Sequence, residues 1–373
     1  MSIPQFDLTR QYAALEPEIE TALRRVLRSG RFILGPEGEA FEAECRRQLG
    51  LGHVIGVASG SDALKLVLAG LGIGPGDEVV TPAFSFVASA TAIIEVGATP
   101  VFADVDPATL TLDPDRAAAV ITPRTRALVA VHLYGLPAAM GPLRALAERH
   151  GLHLIEDAAQ AIGATLGGEP AGALGVAAAF SLYPTKNLGA YGDAGLVATR
   201  DPALAERLRR MRNHGQTQKY AHAELGWTSR LDELQAAILR VKLRHLPAWT
   251  AARRAIAGRY AAGLAGLPLR LPAAPPGAAP VYHQYTIRTP RRDALAKHLG
   301  EAGIGTACHY PQPIPAQPLF RARGYDATAF PAAWAASQEV LSLPCFPELR
   351  PDELDAVVAA IRAFFEGDPA CES

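Results

Sequence analysis

Between residues 54 and 199 seven short apolar runs follow one another: Val54–Ala58, Val79–Thr81, Pro100–Phe102, Ala127–His132, Leu152–Glu156, Ala177–Leu182 and Leu196–Thr199. Several are followed by an amphipathic helical stretch. Runs this short and this continuously apolar suit strands buried on both faces, and helices between them suit a mostly parallel sheet covered on each side. The expectation is an α/β fold whose large domain holds a mostly parallel seven-stranded sheet covered by helices. Ligands of such sheets sit at strand ends, so the residues just past each run are where chemistry is sought.

The flanks complete the architecture. Leu15, Ile19, Leu23 and Val26-Leu27 recur at helical spacing until Ser29-Gly30 ends the run, and a second helix is expected over Pro36–Leu49. After Arg200, Leu204, Leu208 and Met211 mark another helix, followed by a polar loop at Asn213–Trp227. A long helix is expected from Asp232 to Leu243, with further helix to Leu267. Leu271–Pro280 reads as a Pro/Ala/Gly-rich linker. A strand at His283–Arg288, a helix at Arg292–Ala302, a Pro-rich loop at Tyr310–Pro318 and a final helix at Pro351–Phe365 then read as a smaller α+β C-terminal domain. The division expected is 1–250 for the large domain and 251–373 for the small one.

With 373 residues and 49% of them hydrophobic, the chain can bury two cores. Lys+Arg 36 against Asp+Glu 37 leaves a net charge of -1, so no global field draws it to nucleic acid or anionic lipid. No stretch is apolar for the roughly 20 residues of a membrane span. Cys45, Cys308, Cys345 and Cys371 lack metal-ligand spacing, and no basic segment joins an apolar one near residue 1, so a reduced, cytoplasmic chain is expected. Only five lysines occur, Lys65, Lys186, Lys219, Lys242 and Lys297, which narrows the search for a reactive amine.

Three segments could carry chemistry. Ser59-Gly60-Ser61-Asp62 follows the first apolar run and opens a helix, where free N–H groups and the positive dipole end suit a phosphate; the alternative is an ordinary cap by Ser61 or Asp62. Glu156-Asp157, at the end of a later run, places two adjacent carboxylates toward a ligand, with Gln160 one turn on; the alternative is that Asp157 caps a helix starting at Ala158. Lys186 sits in a turn between Pro184 and Gly189, where burial can free its amine of its proton; the alternative is a surface lysine. Together they are the parts a pyridoxal 5'-phosphate (PLP) site requires: an amine for the aldehyde, an anion near the pyridine nitrogen and a cradle for the phosphate.

Nearly the whole chain resembles the DegT/StrS family of fold-type-I PLP enzymes, the nucleotide-sugar aminotransferases. The resemblance is carried by SGSDAL at Ser59–Leu64, TPAFSFVA at Thr81–Ala88, EDAAQA at Glu156–Ala161, SLYPTKNLG at Ser181–Gly189, RLDELQAA at Arg230–Ala237 and SLPCFPEL at Ser342–Leu349. It implies that Lys186 is the Schiff-base lysine and proton carrier, that Asp157 pairs with the pyridinium nitrogen and that Gln160 bonds the cofactor's phenolic oxygen. Phe86 would stack on the ring, and Gly60, Ser61 and Ser181 would hold the phosphate. The simpler roles for the last two kinds of residue are core packing for Phe86 and a strand-end hydrogen bond for Ser181.

The family pattern also implies a homodimer with sites built from both subunits. Thr228 stands where relatives usually carry an Asn that reaches the neighbouring subunit's phosphate, Pro315 stands where many have His, and Asp193-Ala194-Gly195 replaces DGG. Lys219, Tyr220 and His222 on the polar loop, with His309 and Tyr310, are the candidate substrate contacts. Lys219–His222 and Tyr282-His283-Gln284-Tyr285 resemble the branch acting on 3-keto-6-deoxyhexoses more than the 4-keto branch. The implied reaction moves an amino group from an amino acid, glutamate, to a dTDP-linked 3-keto-6-deoxyhexose. The alternatives are a 4-keto aminotransferase, a PLP-dependent sugar dehydratase, whose branch carries His in place of Lys186, and a non-enzymatic regulator, against which the near-zero charge and lack of a basic recognition helix speak.

Overall fold

The computed structural model describes residues 2–366, so Cys371 lies outside the described residues. The seven expected strands are all present: β1 (His53–Val57), β2 (Glu78–Pro82), β3 (Thr99–Ala103), β4 (Thr125–Val131), β5 (His153–Asp157), β6 (Ala177–Ser181) and β7 (Gly195–Thr199). They form one sheet in the order β1-β7-β6-β5-β4-β2-β3. All neighbours are parallel except β7, which runs antiparallel to both β1 and β6. This reversal brings the start of β7 beside the ends of β1 and β6, with Gly195 opposite both Val57 and Ser181.

The helices cover both faces. Helix α1 (Leu8–Ser29) begins at Asp7, whose carboxylate accepts the N–H groups of Thr9 and Arg10, and stops at Gly30 in the left-handed region. Helix α2 spans Pro36–Leu49, the range expected, and α3 (Gly60–Gly70) packs its apolar face on the sheet through Leu64, Leu66 and Val67. The polar loop after Met211 contains a short hairpin, Gln216–Gln218 against Ala221–His222, turned by Tyr220 at φ 66°. A sparse, polar strand pair of this kind has no apolar alternation to announce it.

The two helical stretches expected after Asp232 are one helix, α4 (Glu233–Gly263), with Pro247 inside it. It contributes to three cores in turn: Ile238 and Val241 meet Leu15 and Ile19 of α1, Leu239, Leu243 and Leu246 meet the sheet layer, and Ile256, Ala257 and Tyr260 join Tyr285, Ile287, Leu341 and Val357. Burial on successive faces holds the helix through the proline, which forfeits one backbone bond. The chain therefore crosses residue 250 without a break, and the change of core comes between Leu246 and Ile256. The C-terminal core is completed by the antiparallel pair Tyr285–Arg288 and Val340–Leu343 and by helices Arg292–Glu301 and Pro351–Glu366. Among the described residues no helix is long and apolar enough to cross a membrane.

Candidate active site

The ends of β1, β4, β5 and β6 and the segments around His283 and His309 enclose a cavity of about 500 Å³. Its lining includes Gly60, Ser61, Phe86, Asp157, Gln160, Ser181, Lys186, His309 and Tyr310, so eight of these residues singled out by sequence accompany Lys186 in one place.

At one wall, Ser59 is the N-cap of α3, its hydroxyl accepting the N–H of Asp62. The cap is therefore neither Ser61 nor Asp62, and the helix starts two or three residues earlier than those alternatives require. The N–H groups of Gly60 and Ser61 consequently fall in the first turn, where a helix supplies no partner of its own. A Cβ on Gly60 would lie 2.7 Å from the Ser181 side chain, so glycine is what allows this helix end to sit against the end of β6. Together with the Ser181 hydroxyl they offer donors suited to an anion.

At the end of β5 the two carboxylates face opposite sides of the sheet, as the period of a strand dictates. Asp157 lines the cavity; its Oδ2 accepts from the Ser89 hydroxyl at 2.7 Å and its Oδ1 from the N–H of Ala159 at 3.2 Å. No helix starts at Ala158. Glu156, expected to face a ligand too, is 0% exposed on the other side. There it accepts the N–H groups of Gly172, Leu174 and Gly175 at 2.7–2.8 Å and lies 2.9 Å from His132 Nε2. Since the Ala138 N–H donates to His132 Nδ1, it is Nε2–H that donates to Glu156. Glu156→Ala would orphan four donors, and a loss of roughly 3–5 kcal/mol of unfolding free energy is expected in denaturant titration; a loss under about 1 kcal/mol would contradict this account.

Lys186 stands on the turn after β6, tied by its N–H to the Tyr183 carbonyl at 2.8 Å. The turn needs Gly189, because a Cβ there would meet the Pro184 carbonyl oxygen at 2.2 Å. Burial lowers the amine's pKa to about 8, against an opposing pull from Asp157. No hydrogen bond reaches its Nζ among the described residues. Lys186 is thus no surface lysine but an amine poised near neutral pH.

Gln160 has its amide fixed at both ends: Oε1 accepts the Tyr134 N–H at 2.6 Å and Nε2 donates to the Tyr310 hydroxyl at 3.1 Å. Tyr134, at φ 59°, also donates its hydroxyl to the His309 carbonyl. Phe86 is 53% exposed, with its ring 6.0 Å from that of Tyr310, which excludes core packing and leaves a free aromatic face. Burial lowers the His309 imidazole to about 4, with Lys186 adding to the effect.

Thr228, Lys219, Tyr220 and His222 are exposed and do not line this cavity. Thr228 bonds His214 Nε2 at 2.9 Å, His222 Nδ1 bonds the His214 carbonyl at 2.9 Å, and Tyr220 is 84% exposed at the hairpin tip. Pro315 is buried in a short turn away from the cavity. The cavity also contains residues not assigned from sequence: Ser85, Thr185, His283 and Gln284.

An unpaired amine of lowered pKa, a carboxylate, a fixed amide donor, a free ring face and an anion cradle are the set that PLP needs. The model of the DegT/DnrJ/EryC1/StrS aminotransferase family matches residues 13–362. The chain belongs to that family. The dTDP-3-amino-3,4,6-trideoxy-alpha-D-glucose transaminase of Streptomyces venezuelae is 50% identical over 98% of this chain and 96% of that protein. The UDP-N-acetyl-3-dehydro-alpha-D-glucosamine 3-aminotransferase of Acidithiobacillus ferrooxidans is 48% identical over 98% and 99%. The crystal structure of S. venezuelae DesV in complex with a ketimine intermediate superposes with a TM-score of 0.96 at 50% identity, covering 98% of this chain and 99% of that one. The chain is a PLP-dependent sugar aminotransferase.

Proposed function

We propose that this aminotransferase moves the amino group of glutamate to C3 of a dTDP-linked 3-keto-6-deoxyhexose. The class of reaction rests on the Lys186 amine, half freed of its proton near pH 8 and set between Asp157 and two histidines of the same cavity. The choice of carbon is supported by two relatives, both named for amination at position 3. They differ in nucleotide, and the 6-deoxyhexose is favoured here by the Lys219–His222 and Tyr282–Tyr285 segments.

Bound PLP supplies an electron sink that stabilises the carbanion formed when a proton leaves the amino-bearing carbon. In this reading Asp157 faces the pyridine nitrogen, Phe86 the ring, Gln160 Nε2 the phenolic oxygen, and Gly60, Ser61 and Ser181 the phosphate. Lys186 takes the proton from one carbon and returns it to another, a task suited to an amine whose pKa lies near the working pH. His309 and Tyr310 close the cavity on the substrate side. The exposed hairpin carrying Lys219, Tyr220 and His222, with Thr228 beside it, is assigned to the site of a second copy in a homodimer, which accounts for its standing away from its own cavity. The Thr228 hydroxyl replaces an amide of longer reach.

Incubation of the loaded enzyme with glutamate and either 3-keto or 4-keto dTDP-sugar, read by mass, tests the reading. The 3-keto sugar is expected to gain one amine for each 2-oxoglutarate released. Amination of the 4-keto sugar alone would move the assignment to C4, and amination of neither would end it.

A further inference from the structure

His283 carries no role in the reaction as described, yet it lines the cavity beside Lys186 and is only 7% exposed. Its ring orientation and tautomer follow from its neighbours. The Asn187 amide, 5% exposed and adjacent in sequence to Lys186, places Nδ2 3.0 Å from the Val281 carbonyl and Oδ1 3.2 Å from His283 Nδ1. A carbonyl only accepts, so the Nδ2 side must face Val281 and Oδ1 must face the imidazole. Oδ1 also only accepts. His283 therefore bears its proton on Nδ1, and Nε2 is left as a bare lone pair with no hydrogen-bond partner among the described residues.

The backbone around it is held on every side. The Val281 N–H donates to the Gly135 carbonyl at 3.0 Å, Arg253 donates to the carbonyls of Tyr282 and His283 at 3.2 and 3.5 Å, and the Gln284 N–H reaches the Tyr134 carbonyl at 3.4 Å. Such a ring cannot easily turn to exchange its two edges. Burial, then the nearby Lys186, Arg253 and His309, push the imidazole well below its ordinary range, so it stays neutral. Since Lys186 titrates at about 8, a proton shared between them resides on the lysine. His283 is thus an acceptor and not a base.

We propose that His283 is a specificity-determining residue, its Nε2 lone pair accepting a hydrogen bond from a substrate hydroxyl on a carbon adjoining the one that receives nitrogen. The proposal rests on the reading of the acceptor as a keto-sugar. A buried acceptor of this kind discriminates sharply, because a substrate lacking the hydroxyl leaves it unpaired and one bearing a carboxylate there confronts it with a second acceptor. Asn187 makes the link to catalysis geometric: the turn that presents the amine also fixes the imidazole.

Three preparations of the PLP-loaded enzyme test this. In the wild type, nitrogen-15 NMR without sugar is expected to show His283 Nδ1 as pyrrole-type and Nε2 as pyridine-type, assigned by loss of the signals in His283→Asn. That variant keeps a donor where Nδ1 stood and deletes Nε2; kcat/KM for the hydroxylated 3-keto sugar is expected to fall about tenfold, the worth of one hydrogen bond, with much less change for either the 2-deoxy or the 4-deoxy analogue. His283→Gln, which returns an oxygen near the Nε2 position, is expected to restore most of the loss. The reverse tautomer, a doubly protonated ring, or equal losses on all three sugars would overturn the proposal. If the wild type aminates no keto-sugar, it is the functional reading that fails, while the tautomer measurement stands apart from it.

Discussion

Lys186→Ala is expected to lower amine transfer by roughly 10⁴-fold, the scale for removing a positioned proton-transfer group, and to leave no covalent label after borohydride treatment of the PLP-loaded protein. The fold should survive, because Nζ has no hydrogen-bond partner to orphan among the described residues. The wild type gives a second, independent readout. The neutral amine is the nucleophile toward an aldehyde, so the rate at which apo-protein captures PLP should fall about tenfold per pH unit below about 8 and level off above it. An amine at the ordinary 10.5 would go on gaining rate through pH 10. A capture rate still rising there, or a variant retaining more than about a hundredth of the activity, would contradict the assignment of Lys186.

Lys186 and Asp157 were legible because their positions follow from strand ends, and strand ends follow from local apolar runs. The seven runs predicted the strands to within about two residues of either end. What escaped was whatever depends on chain segments far apart. Asn187 and His283 are separated by 96 positions, and neither has a local pattern that tells of the other. Tyr134 holds both Gln160 and His309 from a left-handed backbone conformation that no glycine or asparagine announces. Adjacent Glu156 and Asp157 looked alike as letters, and only the sheet separates them: the same strand end points one carboxylate at the cavity and gives the other to three backbone N–H groups. The β7 reversal was equally hidden, since an apolar run carries no direction.

The cavity also explains why two histidines beside a lysine do not make a cationic site. His309 and His283 are both kept neutral by burial, and Lys186 itself is lowered to about 8. Lys186 disfavours charge on both histidines, and His309 disfavours it on His283. Asp157 is the one neighbour that opposes the trend by drawing the lysine's pKa upward. It therefore has two effects that can be separated by a single substitution.

Asp157→Asn keeps the shape of the side chain, and its oxygen can still accept from the Ser89 hydroxyl; the Ala159 N–H loses an acceptor that stands 3.2 Å away, so a thermal midpoint lowered by no more than a few degrees is expected. The charge is what disappears. With no anion to favour a proton on the pyridine nitrogen of the cofactor, transfer should fall on the order of 10²- to 10³-fold, the scale of a lost preorganised electrostatic contact. The Lys186 ammonium loses its stabilising neighbour at the same time, so its pKa must move down from about 8, and apo-protein should capture PLP at lower pH than the wild type does. Readiness of the amine and rate of transfer thus move in opposite directions. A carboxylate that merely shaped the site would degrade both together, so a capture profile that stays put or shifts to higher pH would refute the role given to Asp157.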